Sequence, residues 1–92
     1  MAQDQRVENL EQFLAQRGQA LLRTAVLLTG SIQAGEDLLQ SAIERLLRQK
    51  SRLDGDPEGY LRRTLCNLAT DGFRRQGRWR RKFLILQTEA QR

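Results

Sequence analysis

Apolar residues recur along this chain at helical spacing in three long stretches. In the first, Leu14, Leu21, Leu22, Ala25, Val26 and Leu28 make a broad apolar face between Phe13 and Thr29, with Gly18 the one weak helix former inside it. Ahead of it the pattern is thin: Val7 and Leu10 stand where the helix begins, and residues 1–10 are expected to fray. Gly30 is placed to end the helix in a left-handed conformation and Ser31 to cap the next, so Thr29-Gly30-Ser31 reads as a tight corner. The second helix is predicted from about Ile32 to Lys50, with Leu39, Ala42, Ile43, Leu46 and Leu47 facing inward. Asp37, Gln40, Ser41 and Glu44 fall on a separate polar stripe, which on pattern alone is an exposed helix face.

Between Lys50 and Pro57 the residues Ser51, Asp54, Gly55 and Asp56 form turns, and a loop is expected there. The third helix then has a well-marked start: Asp56 can cap it, Pro57 suits its first position, and Glu58 lies near the positive end of its dipole. Tyr60, Leu61, Leu65, Leu68, Ala69 and Phe73 supply a packing stripe, while Arg63, Asn67, Thr70 and Arg74 recur on another side. Gly77 is expected to weaken or end this helix. The apolar patch Phe83–Leu86 then has three readings: it covers the core, continues the helix, or awaits a partner. No strand pair, repeat or low-complexity segment interrupts the helical pattern. Ninety-two residues hold one small domain, so the fold class expected is all-α, a compact three- to four-helix bundle.

Charge changes the picture of the third helix. The net charge is +5, but residues 62–82 carry eight basic side chains against Asp71 alone, a net +7, whereas residues 1–61 sum to −2. Such a concentrated basic segment fits a polyanion, nucleic acid first and an anionic membrane surface second. Asn67, beside Arg63 and Arg74, can offer its amide to a base edge, although bonding to a neighbour or to water is the slightly favoured reading on pattern alone. Trp79 can stack on an unpaired base or pack over a helix junction, the commoner use of a lone tryptophan. Cys66, the only cysteine, permits no intramolecular disulfide, which suits a reducing cytoplasm, and is expected as a small core residue. With no His, no CxxC pair and no glycine-rich phosphate loop, neither catalysis nor a metal or other cofactor is expected. The polar, acidic N-terminus and the lack of an apolar run of ~18 residues argue against secretion and membrane insertion.

The segments LLRTAVLLTGSIQAGEDLLQSAIERLL and DPEGYLRRTLCNLATDGFRR, separated by a short loop, together resemble region 2 of the extracytoplasmic-function (ECF) sigma factors of bacterial RNA polymerase. The likeness spans residues 11 to 82 and rests most on the LLTG corner, on EDLLQ at Glu36–Gln40, and on YLRR…CNLATDGFRR at the expected distance downstream. It implies a cytoplasmic promoter-recognition domain of the sigma-70 region 2 type, which docks on the clamp helices of the polymerase β′ subunit and recognises the −10 element. By that resemblance Asp37, Gln40, Ser41 and Glu44 form the polymerase-binding surface. The Lys50–Pro57 loop, with Asp54, Gly55 and Asp56, matches a specificity loop that holds a flipped-out base of the non-template strand. Tyr60 and Asn67 adjoin its pocket, and Arg63, Arg74, Arg75, Arg78, Arg80 and Arg81 meet DNA, chiefly phosphates near the melted segment.

The resemblance also implies a second helical domain that reads the −35 element, and residues 83–92 read as the start of the linker to it; the chain is then a fragment or a single-domain relative. Few aromatics stand on the DNA side, so strand opening is expected to lean on a stringent promoter and on the polymerase. Family members are often held by anti-sigma factors, for which Phe83–Leu86 offers a patch. Two other roles remain: a sigma-like helical interaction protein that binds an anti-sigma factor or polymerase without reading DNA, and a membrane-surface binder using Trp79, Phe83 and the arginines.

Overall fold

The computed structural model of the protein describes residues 2–49 and 55–90. Among them lie three helices and no strand: α1 (Ala2–Thr29), α2 (Ile32–Arg48) and α3 (Pro57–Ala90). The fold class is all-α, as the periodicity predicts.

α1 begins at Ala2, and Leu10 already belongs to the core at 8% exposure. From there Leu10, Leu14, Leu21, Ala25 and Leu28 advance in steps of three, four and seven, a single stripe pressed against the other helices. At its end Gly30 takes φ 89°, and its N–H bonds to the Val26 carbonyl at 2.7 Å. That left-handed turn suits glycine, which has no Cβ to strain. Ser31 then caps α2, its hydroxyl accepting from the Ala34 N–H at 3.1 Å. The predicted corner is therefore present residue for residue.

α2 crosses α1 at close range through Gly35. A Cβ built there would stand 2.7 Å from Val26 Cγ2 and 2.8 Å from the Val26 backbone nitrogen, so only a residue without a side chain fits. Ala42 and Leu46 are buried on the same side, with Leu38, Leu39 and Ile43 packed against them. Leu47, expected inward, is 45% exposed; Leu38 takes the inward place instead. The helix closes at Arg48, where the Gln49 N–H bonds back to the Leu46 carbonyl, before the predicted limit at Lys50, which lies outside the described residues.

α3 starts as its sequence predicts: the Asp56 carboxylate accepts from the Gly59 N–H at 2.9 Å. Leu61 and Leu65 are wholly buried, with Leu21 and Leu46 the largest side chains sealed in the core. Burial of each such leucine stabilises the fold by roughly 1.5–3 kcal/mol. Thr64, 7% exposed, returns its hydroxyl to the Tyr60 carbonyl at 2.8 Å and so leaves no orphan donor.

Three expectations for α3 are corrected. Gly77 does not end the helix, which continues without interruption to Ala90 and carries the Phe83–Leu86 patch along. One glycine costs about 1 kcal/mol, too little to break a run of good helix formers on both sides. Cys66 is exposed rather than in the core, because the positions one turn apart that face inward are Leu61, Leu65 and Leu68. Phe73 is 58% exposed, since the bundle ends beneath it. From Phe73 onward every side chain that is described is exposed. With α3 projecting past its neighbours, the molecule extends 67 × 22 × 17 Å. No helix among the described residues is long and apolar enough to cross a membrane.

Candidate polymerase and nucleic-acid surfaces

Two exposed polar surfaces stand on the bundle. On α2, Asp37, Gln40, Ser41 and Glu44 are all solvent-exposed, as the stripe predicts. Asp37 and Ser41 also form one edge of a groove of about 320 Å³ between α2 and α3. Leu28, Leu38 and Leu68 floor it, and Phe73 and Gln76 stand on the α3 side. An apolar seat with a carboxylate at its edge suits a helix that brings an apolar anchor and a neighbouring cation.

The second surface runs along α3. Arg63, Asn67, Thr70, Arg74, Arg78 and Arg81 are exposed and advance in steps of four, three, four, four and three. At 3.6 residues per turn these positions stay within an arc of about 80° over ~27 Å of helix. Arg75 and Lys82, also exposed, widen the row on one flank. Trp79 and Arg80 fall within α3, but their side chains lie outside the described residues.

At the opening end of this row the C-terminus of α2 meets α3. Arg45, Arg48, Gln49 and Tyr60 line a recess of about 270 Å³, polar except for the phenol ring. Tyr60 is half-buried with its ring against the core, so it offers a fixed aromatic wall. Gly55 and Asp56, expected in the specificity loop, are exposed next to it. Asp54, with the rest of residues 50–54, lies outside the described residues. Asp56 has a structural task as the α3 cap in addition to any contact it makes.

A polar clamp fixes this end of α3 to α1. Arg17 reaches the same carboxylate oxygen of Glu58 through Nε at 2.9 Å and Nη2 at 2.6 Å. Arg62, one turn after Glu58, adds a third donor at 3.4 Å and touches the Thr24 hydroxyl at 3.5 Å. The Arg17 hydrogen bonds hold the Glu58 carboxyl below its ordinary value, against partial desolvation that pulls the other way, with Arg62 adding to the depression. Sequence reasoning assigned Glu58 only to the helix dipole and gave Arg17 no role. The signal was faint: Arg17 is a lone, exposed cation between Leu14 and Leu21, beside the apolar stripe of α1.

Among the described residues no group of three or more His, Cys, Asp or Glu could hold a metal ion. The family model for Sigma-70 region 2 matches residues 13–79, a span that contains both surfaces as far as Arg78. Comparison with curated proteins and with solved structures gives no match.

Proposed function

The chain belongs to the Sigma-70 region 2 family, and on that premise we propose that it is the promoter-recognition domain of an ECF-type sigma factor. In this reading it works in the cytoplasm as a non-enzymatic adaptor between RNA polymerase and the −10 element. The observation that carries the proposal is the separation of two exposed surfaces on one bundle: an acidic and amide stripe on α2 and a basic row on α3.

The division of labour follows from chemistry. Asp37, Gln40, Ser41 and Glu44 receive the β′ clamp helices, with the groove beside Asp37 seating an apolar side chain of that partner. The recess at Arg45, Arg48, Gln49 and Tyr60 receives an extruded base of the non-template strand, and Asn67, on the same side of α3 as Tyr60, offers donor and acceptor groups. Extruding that base costs a few kcal/mol of unstacking, which charge-assisted bonds from Arg63, Arg74 and Arg75 to phosphates help offset. The exposed Leu84, Ile85 and Leu86 give an anti-sigma factor an apolar patch clear of the polymerase stripe.

The test measures the two bindings separately. Asp37→Ala is expected to weaken binding to a β′ clamp-helix fragment by about tenfold, ~1.4 kcal/mol, and to leave affinity for single-stranded −10 DNA unchanged. Asn67→Ala is expected to do the reverse, costing about 1–3 kcal/mol for the preferred sequence. Equal affinity of the wild type for any oligonucleotide, with clamp binding intact, would favour a sigma-like protein that binds polymerase without reading DNA.

A further inference from the structure

The groove beside Asp37 and the outer half of α3 complement one another, and one chain carries both. The groove has Leu28, Leu38 and Leu68 on its floor, the exposed Phe73 on its α3 side, and Asp37 with Ser41 on its α2 edge. It therefore fits a helix that brings an apolar pair and a cation one turn away. On α3, Arg81 stands three and four residues before Leu84 and Ile85, so the three share one side of the helix, and all are exposed. Charge sorts the same way. From Ser31 to Glu44 the chain carries Glu36, Asp37 and Glu44 and no basic residue, whereas residues 72–88 carry six basic residues and no acidic one.

The unbroken α3 carries its outer half away from its own groove, which leaves the groove open to the same segment of a second copy. We propose that the chain pairs with itself about a two-fold axis, the outer half of α3 from each protomer seated in the groove of the other through Leu84 and Ile85, with Arg81 at Asp37. A two-fold pairing makes this contact twice and closes, with no groove left over to propagate a filament. Residues 78–90 give about 20 Å of helix, enough to cover a groove whose α2 edge, from Ala34 to Ser41, is about 11 Å long. The pairing needs neither DNA nor polymerase. Its consequence rests on the promoter-recognition reading above: the paired form covers Asp37 and Ser41 and engages Arg81, so it withholds the polymerase stripe and part of the basic row. Polymerase and DNA then draw on the monomer.

Sedimentation equilibrium of the full chain, free of polymerase and DNA, reads the pairing directly. The wild type is expected to dimerise at low salt and to dissociate more readily as ionic strength rises, because the charges that pair are exposed and screened. Asp37→Arg and Arg81→Glu should each weaken the dimer by about tenfold or more, since each reversal sets like charges together in both contacts. Mixed in equal amounts, the two variants should dimerise again: one contact then joins the two reversed charges and the other joins the two native ones. Leu84→Ser/Ile85→Ser should lose the dimer at every salt concentration.

All four side chains are exposed, so the variants keep their core, and circular dichroism should show their helix content unchanged. A wild type that stays monomeric up to roughly 1 mM, the weak end of specific association, would overturn the proposal. So would a dimer that both charge reversals leave as tight as before, or a mixture of the two variants that fails to recover it. Failure of the monomer to bind a β′ clamp-helix fragment would strike the promoter reading instead, and the pairing is read independently of it.

Discussion

Gly35 decides how closely α1 and α2 can cross, because any Cβ there would press on the Val26 backbone. Gly35→Ala should therefore destabilise the protein by about 1–3 kcal/mol, the usual cost of overpacking, despite alanine's better helix propensity. Urea unfolding followed by circular dichroism measures it, and an unchanged midpoint would show that the helices separate freely. Glu58 makes a second prediction at this scale. Its carboxyl is depressed in the folded state by Arg17 and then Arg62, so the ion pair stabilises the fold fully above the ordinary glutamate value of 4.5 and loses that contribution as pH falls through the depressed folded value. Tm of the wild type should exceed that of Glu58→Gln at neutral pH, and the two should converge in acid below 4.5. A constant gap between the two Tm profiles down to the acid end would rule out a titrating clamp.

At the scale of the element, α3 is one helix with two regimes. Its first half is held by Leu61, Leu65 and Leu68 against the core, whereas beyond Gly72 no described side chain is buried. An isolated helical stretch of this length is marginal in water. Arg74, Arg78 and Lys82 also repel one another at steps of four, by about 0.2–0.5 kcal/mol per pair. Gly77 adds its own cost in the same stretch. Gly77→Ala should thus slow amide exchange in the outer half of α3 by a free energy of about 0.5–1 kcal/mol. Exchange of the Leu61–Leu68 amides and the global Tm should stay as they were. In the proposed DNA complex, phosphates that neutralise the arginines would stabilise the same stretch.

The two halves of α3 also show how far the sequence could be read. Leu61, Leu65 and Leu68 announce burial by spacing, and the structure buries or half-buries them all. Phe73 continues the same run, yet it is exposed, because a period describes a face and not how far the neighbouring helices reach. Cys66 failed for a related reason. Its apolar character suggested burial, but its place on the turn points it to solvent. The exposed stripes on α2 and α3 were legible because charged residues at helical spacing have little alternative to solvent. The Arg17–Glu58 bond was not, since its partners are forty-one residues apart and meet only after α1 and α3 pack.

For the whole molecule, the acidic and amide stripe and the basic row stand on different helices of one bundle, with a shared core between them. The proposed polymerase and DNA contacts therefore do not compete for side chains. If the bundle is rigid, the effects of Asp37→Ala and Asn67→Ala on assembly with core polymerase and −10 DNA should add to within about 0.5 kcal/mol, as for distant independent sites. A coupling above that, in a double-mutant cycle, would mean that docking reshapes the DNA surface. Ionic strength should act unequally on the two bindings, with a steep loss for DNA and a shallow one for the clamp helices.

By itself the sequence determined the helical class, the Thr29-Gly30-Ser31 corner, the Asp56 cap and the two exposed stripes. Each is written in local spacing and in the chemistry of single positions. Only the tertiary structure decided that α3 leaves the bundle at Phe73. It also decided that Gly35 sets the α1–α2 approach and that Arg17 holds Glu58. These depend on where one helix stops relative to another, and that distance is fixed by packing between residues far apart in the chain.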